Sequence, residues 1–371
     1  MHRRSTARRG EGGRRRLPGL DAARGLALAG MIVINVGPTE ATSLLHRLYL
    51  LPYGRASVLF VVIAGIGMGY LLGRAAGTRA GRWRLLAWRA GLLVAGGMTL
   101  QALTDDIGVI LALYGILFLL APLADRLSDR GLVIAAGAML VAGPVLVITY
   151  DLVTGQGSGG NAPVSPGDPP GQLALGLLFA GRYPLVTWVV PFLVGLRLAR
   201  VDLSVPVTQR RLVLWGTVAA VGGLLASEAS RAVLGPAADQ GFPRLLTGVA
   251  HGQMPLWLVS SVGGAVAVVA LVTRLGQVRP RLLEPLAACG RLSLTIYVTH
   301  VVVLVAVTPP GGFPVLQGVA VSAVMVAAAV AFGLLWRRVG GPGPLERVMR
   351  VPWARRAPAV TVRDHPVRTS S

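Results

Sequence analysis

Apolar stretches of about twenty residues recur along almost the whole chain, and they restrict the fold to a bundle of membrane-spanning helices. A hydrocarbon core of about 30 Å needs roughly 20 helical residues to cross it. The composition agrees, because 14% of the residues are charged, against about 25% in soluble domains. We therefore expect an all-α integral membrane protein with about ten transmembrane helices. The predicted spans are 22–38, 55–73, 84–103, 107–124, 131–150, 174–198, 211–232, 254–273, 285–307 and 315–336.

Two local patterns refine this prediction. The sixth segment is interrupted by the residues GRYP at 181–184, and both glycine and proline disfavour helix interiors. It is expected to be a broken or re-entrant helix, so nine or eleven spans are the alternatives to ten. The glycines of AGIGMG, Gly65, Gly67 and Gly69, look like part of a dinucleotide loop. They lie inside the second span, however, where small residues allow close helix contact, and no nucleotide fold is expected.

The arginines predict how the helices are oriented. The net charge is +21, which in a soluble protein would suggest nucleic-acid binding. Here 28 of the arginines lie in the two terminal segments and in every second loop between the spans. The other loops, which would lie on the opposite side of the membrane, hold 4. The rich segments are 1–21, 71–84, 124–131, 197–211, 274–284 and 337–371. Cytoplasmic loops are enriched in basic residues, so both termini are expected in the cytoplasm, the loop 151–172 outside, and no nucleic-acid partner.

One polytopic domain, residues 19–340, is predicted between two basic cytoplasmic segments. Residues 1–18 and 341–371 are polar and rich in arginine, so we expect flexible arms that attract anionic lipid headgroups. The basic start before a short apolar run resembles a signal peptide, but Asp21 and Arg24 interrupt that run, and we expect it to stay uncleaved. The predicted location is the inner (plasma) membrane.

Charged side chains inside the spans carry functional information, because each costs a few kcal/mol in hydrocarbon and usually faces protein or a wet cavity. Four arginines lie inside the spans at more than one residue from either end: Arg24, Arg89, Arg182 and Arg291. All but Arg182 fall in the predicted cytoplasmic part of their helices, where a guanidinium suits phosphate. The alternatives are an ion pair of Arg24 with Asp21, three residues away, and snorkelling of Arg89 and Arg291 to the inner headgroups.

Histidines lie toward the opposite side. His46 is in the first outer loop, His251 is at the outer start of the eighth span, and His300 is near mid-membrane. Histidine exchanges protons near neutral pH and can act as a general base. This polarity suits an anionic donor from inside and an acceptor from outside. The alternative for His251 and His300 is a packing or hydrogen-bonding role.

Two further features argue for structural roles. Asp105 and Asp106 lie in a short outer turn and are expected to be a solvated cap of the fourth span, because acidic groups suit a helix N-terminus. The single cysteine, Cys289, excludes an internal disulfide and a cysteine cluster. No metal site is expected.

The motifs of the first two spans resemble a known family. LDAARGLALAGMIVINVGP, an outer-loop histidine and YGRASVLFVVIAGIGMGYLLGR are similar to bacterial members of the heparan-alpha-glucosaminide N-acetyltransferase-like family of integral membrane acyltransferases. AHGQMPLWLVSSVGGAVAV, GRLSLTIYVTHVVVL and GPLERVMR resemble its later elements. Arg55 stands where the sugar acetyltransferases carry an acidic residue, which argues against a heparan-type acceptor.

The resemblance implies roles for individual residues. Asn35 and His46 match the catalytic pair, in which Asn35 would hold the thioester carbonyl or its oxyanion and His46 would remove the proton of the acceptor. Cytoplasmic acetyl-coenzyme A would be the donor. The donor-side candidates are Asp21, Arg24, Arg89 and Arg291, and the acceptor-side candidates are Arg55, His251 and His300.

The leading hypothesis is therefore a membrane acyltransferase that uses acyl-coenzyme A, with an extracytoplasmic sugar, glycolipid or small amine or hydroxyl as acceptor. Its partners would be these substrates and membrane lipid, and a homodimer is compatible with the sequence. The first alternative is a transporter or exporter of a small anionic solute, with Arg24, Arg89 and Arg291 along its path. The second is a catalytically silent membrane scaffold. Direct transfer, with His46 as the base, and transfer through an acyl-imidazole, with His46 as the nucleophile, both need this residue in the same place.

Overall fold

The computed structural model describes residues 18–37, 49–50, 52–74, 79–155, 164–249 and 251–350. All regular elements within these ranges are helices, so the predicted all-α fold class is confirmed. His46 and most of the two predicted arms lie outside the described residues. The helices are α1 (Pro18–Val36), α2 (Arg55–Arg74), α3 (Arg79–Gln101), α4 (Leu111–Ala124), α5 (Asp129–Thr154), α6 (Pro170–Phe179), α7 (Leu185–Ala199), α8 (Pro206–Leu234), α9 (Pro255–Val278), α10 (Pro280–Arg291), α11 (Ser293–Val307), α12 (Val315–Val339) and α13 (Pro344–Val348).

The chain is a multi-pass membrane protein. Six of the described helices, α1, α2, α5, α8, α9 and α12, are long and apolar enough to cross a bilayer, and α10 with α11 adds a seventh if the bent pair is one span. Each of the ten predicted segments contains helix in its described part, but the count of ten spans is not confirmed. Helix α3 begins with four arginines in eleven residues, which lowers its hydropathy, and the sixth segment is divided into α6 and α7.

The helices form an inner and an outer layer. In the most apolar 18-residue stretch of α2, 67% of the residues are buried inside the protein, against 17% in the corresponding stretches of α8 and α12. The outer helices expose large apolar side chains such as Trp215 (66% exposed) and Leu316 (80% exposed). Such exposure is unfavourable in water and favourable in lipid, so α8 and α12 are the lipid-facing elements. Helix α1 lies among α2, α9, α10, α11 and α12 and forms the centre of the bundle.

Small residues allow the closest helix contacts, as predicted for AGIGMG. Gly65 on α2 faces the backbone of Phe192 and Gly195 on α7, and a Cβ at Gly195 would meet the carbonyl of Val62. Gly69 faces Ala199 one turn further along. Gly65 and Gly69 therefore allow α2 to pack closely against α7, whereas Gly67 faces the Arg24 side chain.

The helix α10–α11 pair contains a break that the sequence did not predict. The two helices are bent by 71°, and the bend exposes the first backbone N–H groups of α11. The carboxylate of Glu346 on α13 accepts hydrogen bonds from Leu294 N (2.9 Å) and Thr295 N (3.1 Å), and from the Thr295 hydroxyl (2.6 Å). Part of the predicted tail thus caps α11, as acidic groups do at helix N-termini.

The predicted orientation gives a labelling experiment. In a Cys289→Ser background we expect Gly171→Cys to react with a membrane-impermeant maleimide in intact cells, because Gly171 has open space around it at the start of α6. We expect Arg338→Cys, exposed at the end of α12, to react only after permeabilisation. The reverse pattern would contradict the orientation and the extracytoplasmic position of the cavity described below.

Candidate functional site

A cavity of about 1350 Å³ opens at one end of the bundle, where α1, α3 and α11 end and α2 begins. The arginine distribution predicts that this end is extracytoplasmic. The polar and aromatic residues on its wall include Asn35, Asp105, Asp106, Arg182, Tyr183 and His251. The cavity thus brings together residues from six separate regions of the chain, and two of the proposed catalytic or acceptor-side residues, Asn35 and His251, line it.

Asn35 joins the cavity wall to a buried imidazole. Its side-chain nitrogen Nδ2 lies 3.0 Å from His300 Nε2, and His300 is 3% exposed. The other ring nitrogen, Nδ1, lies 3.3 Å from the Ile296 carbonyl. A carbonyl only accepts, so Nδ1 carries the proton, and Nε2 of the neutral ring accepts from Asn35. Among the described residues, the Asn35 amide nitrogen has His300 as its hydrogen-bond partner, so its second N–H can donate to a ligand carbonyl.

The local fold fixes His300 in this position. Tyr297 is three residues before His300 on α11, and their ring centroids are 5.1 Å apart in an edge arrangement. The Tyr297 hydroxyl accepts a hydrogen bond from Ile110 N at 3.2 Å. One face of α11 is therefore held against α1 by Asn35 and against the start of α4 by Tyr297.

His251 lies on the cavity wall inside an aromatic cluster. Its ring centroid is 4.8 Å from Tyr53, 5.9 Å from Tyr183 and 6.0 Å from Trp257. Burial, and then the positive charge of Arg182, lowers the pKa of His251 to about 4. His251 is therefore neutral at physiological pH, with Nδ1 buried and unpartnered among the described residues.

The predicted break in the sixth segment supplies Arg182. The break separates α6 from α7, and Arg182 donates from Nη2 to the Asp105 carbonyl at 3.4 Å. The backbone carbonyls of Gly181 and Arg182 each accept from Gln253 Nε2 at 3.3 Å. Sequence reasoning missed Gln253. Its only signal was a polar amide at the start of an apolar run.

The predicted capping role of Asp105 and Asp106 is not observed. Helix α4 begins later, at Leu111, and its N-cap Ile110 makes no side-chain cap. Gln101 organises the turn instead, donating to Thr104 O (2.6 Å) and accepting from Val109 N (2.9 Å). The two aspartates are left on the cavity wall, because the turn between α3 and α4 is longer than the hydropathy pattern indicated.

The donor-side arginines lie elsewhere and contact protein oxygens. Arg24 pairs with Asp21 at 3.3 Å, as the ion-pair alternative predicted. Arg89 donates from Nε to Met349 O at 3.3 Å, and Arg291 pairs with Glu284 at 2.8 Å. None of these three arginines lines the cavity.

Two other predicted site residues, Arg55 and His46, are not among the residues that the structure places on the cavity wall. Arg55 is the first residue of α2 and is half-buried, but its neighbours rather than Arg55 itself line the cavity. His46 lies outside the described residues, so its predicted role stays a prediction. The structure therefore brings Asn35, His251 and His300 to the same end of the bundle and leaves the donor-side group apart.

Comparison with known proteins identifies a similarity over the C-terminal part of the chain. A family model described as a protein of unknown function (DUF418) matches residues 206–355, from α8 onward. The comparison with curated proteins found no match. The match covers His251, Gln253 and His300 but not Asn35, and it does not single out the heparan-alpha-glucosaminide N-acetyltransferase-like family. Over residues 206–355 the chain is thus similar to the DUF418 family.

Proposed function

We propose that the protein is a membrane acyltransferase of the heparan-alpha-glucosaminide N-acetyltransferase-like kind, located in the inner membrane. It moves an acetyl or short acyl group from cytoplasmic acyl-coenzyme A to an extracytoplasmic sugar, glycolipid, amine or hydroxyl. The observation that carries the proposal is the hydrogen bond between Asn35, on the cavity wall, and the buried His300. An amide oriented by a buried imidazole is a preorganised donor for a developing oxyanion.

The proposed reaction assigns one task to each group. The acceptor's oxygen or nitrogen bonds to the acyl carbonyl carbon, and its proton passes to His46. The second N–H of Asn35 donates to the carbonyl oxygen as negative charge builds there, a contribution of about 3 to 4 kcal/mol for one such donor. The carbon–sulfur bond then breaks, and the thiolate of coenzyme A leaves and takes up a proton.

The donor-side group has the chemistry to bind a coenzyme. Guanidinium groups bind phosphate through paired N–H donors, and Arg24, Arg89 and Arg291 are the proposed cations, with Asp21 orienting Arg24. Each already contacts a protein oxygen, so donor binding would exchange those contacts for phosphate. At Arg89 the contact given up would be the hydrogen bond to the Met349 carbonyl.

Acyl transfer by purified protein tests the proposal. With radiolabelled acetyl-coenzyme A and an acceptor panel of amino sugars, glycolipids and small amines, we expect acceptor-dependent release of free coenzyme A and a labelled product. We expect His46→Ala to abolish it, because the acceptor proton then has no base. His365→Gln, at a histidine of the predicted tail, is the matched control. Absence of acceptor-dependent release from folded wild-type protein would contradict the proposal.

A transporter of small anionic solutes is the second candidate, and the interrupted helices favour it. The break between α6 and α7 places Arg182 on the cavity wall, and α10 and α11 are bent by 71°. Discontinuous helices form substrate sites in many transporters. Uptake of a labelled anion into proteoliposomes without consumption of coenzyme A, lost in Arg182→Gln, would favour this candidate.

A further inference from the structure

The loop before α9 has an unusual backbone. Within the described residues, the non-glycine residues with positive φ are His251 (+57°) and Gln253 (+62°). Left-handed backbone is unfavourable for such residues and persists where the surroundings determine it, often at functional sites. Both residues belong to the same short loop, and His251 lines the cavity. The contacts that hold this loop in its left-handed conformation therefore indicate which residues determine the position of His251.

The side chain of Gln253 supplies the holding contacts. It is 2% exposed, and its Nε2 donates to the carbonyls of Gly181 and Arg182 while its Oε1 accepts from the Thr187 hydroxyl at 2.7 Å. Two donors and one acceptor are thus used. Buried backbone carbonyls need hydrogen-bond partners from protein or water, and Gln253 supplies one to each of two carbonyls of the α6–α7 break.

These contacts connect two cavity-lining loops. One loop is the α6–α7 break, which carries Arg182, and the other carries His251 itself. Gly54, with φ of +70°, faces both His251 and Trp257, and a Cβ there would collide with the Trp257 ring. The imidazole is therefore confined by backbone on one side and by the break on the other.

We propose that Gln253 is a positioning residue, which holds Arg182 and His251 together on the cavity wall as one ligand-binding element of the acceptor site. The role of that element in acyl transfer rests on the proposed function. The positioning role does not rest on it, because the protonation of the His251 imidazole can be measured without any acyl transfer.

The pKa of His251 depends on how closely the loops of Arg182 and His251 are held together. The charged and titratable groups facing His251 are Arg182, Tyr53 and Tyr183, and its other ring contacts are with the indoles of Trp188 and Trp257. Burial and the Arg182 charge lower the pKa of His251 to about 4. If the loops separate, water enters and Arg182 moves away, so the pKa rises toward the ordinary value of about 6.5.

Carbethoxylation of His251 by diethyl pyrocarbonate, followed by peptide mass spectrometry, tests this. The reagent attacks the neutral imidazole, so a pKa of about 4 leaves the ring about 90% neutral at pH 5, against about 3% for a pKa of about 6.5. The quantity to compare is the rate at pH 5 divided by the rate at pH 8, which cancels differences in access. We expect this ratio to fall by up to about 30-fold in Gln253→Met.

Two further variants make the outcome decisive. Gln277→Met, near the end of α9, is the matched control. Gln277 donates to Ser204 O and accepts from Gln209 away from the cavity, so this variant should keep the wild-type ratio. Thr187→Val removes one contact of Gln253 and should lower the ratio partially. An unchanged ratio in folded Gln253→Met would overturn the proposal, and if that variant does not fold, an unchanged ratio in Thr187→Val would do so.

The two proposals can fail separately. A lowered ratio in a protein that transfers no acyl group would reject the proposed function and support the positioning role. If transfer occurs, Gln253→Met should raise the KM for the acceptor by about tenfold or more, because misplacing a positioned group by about 1 Å can cost up to about 100-fold. An unchanged acceptor KM would show that Arg182 and His251 do not form part of the acceptor site.

Discussion

Asn35→Asp is expected to reduce acyl transfer by about 10²- to 10³-fold, as loss of one oxyanion donor does in other acyl-transfer enzymes. Aspartate has nearly the same shape as asparagine, but it has no N–H to donate. The acyl carbonyl loses its donor, and His300 Nε2, which accepts from Asn35 in the structure, faces an acceptor instead. The substitution thus removes the N–H donor while keeping the volume of the side chain.

The measurement is kcat for acetyl transfer, with folding checked by size-exclusion chromatography in detergent. The same substitution at the chain's other asparagine, Asn161→Asp in the predicted outer loop, is the control and should leave kcat within a factor of two. The double variant Asn35→Ala with His300→Ala should cost little more than Asn35→Ala alone, because contacting residues that act as a unit are not additive. Wild-type kcat in Asn35→Asp would contradict the role given to Asn35.

Most of the helical fold could be predicted because membrane thickness fixes the length of apolar segments. The break at 181–184 was also predictable, since glycine and proline mark it locally. The bend between α10 and α11 was not predictable. Its support is the carboxylate of Glu346, which bonds Thr295 from 51 residues further along the chain, and hydropathy carries no information about such a contact.

The site was predictable residue by residue but not as an arrangement. Asn35 came from a motif and His300 from its polarity in an apolar helix, yet the two are 265 residues apart, and only tertiary packing pairs them. Gln253 gave almost no signal, because its role depends on carbonyls freed by a break about 70 residues earlier. Polar groups whose partners are backbone atoms of a distant irregular segment are the hardest to assign from sequence.

The packing of α2 against α7 gives the second large prediction. Gly65→Leu is expected to destabilise the protein by about 3 kcal/mol or more, at the upper end of overpacking substitutions. A Cβ at Gly65 would collide with the carbonyl of Phe192 and come within 2.9 Å of Gly195 Cα. These neighbours are backbone atoms of a helix and cannot rotate away as a side chain could, so α7 as a whole would have to move.

Gly73→Leu is the matched control, since Gly73 lies on the same helix with no atom within 4 Å of a Cβ built there. Both variants change helix propensity in the same direction, so the difference between their thermal unfolding midpoints in detergent isolates the contact. Equal midpoints would show that α2 and α7 do not pack as described. Because α7 follows the break that carries Arg182, displacing it should also disturb the cavity wall, and Gly65→Leu should then lower the His251 carbethoxylation ratio that Gly73→Leu leaves unchanged.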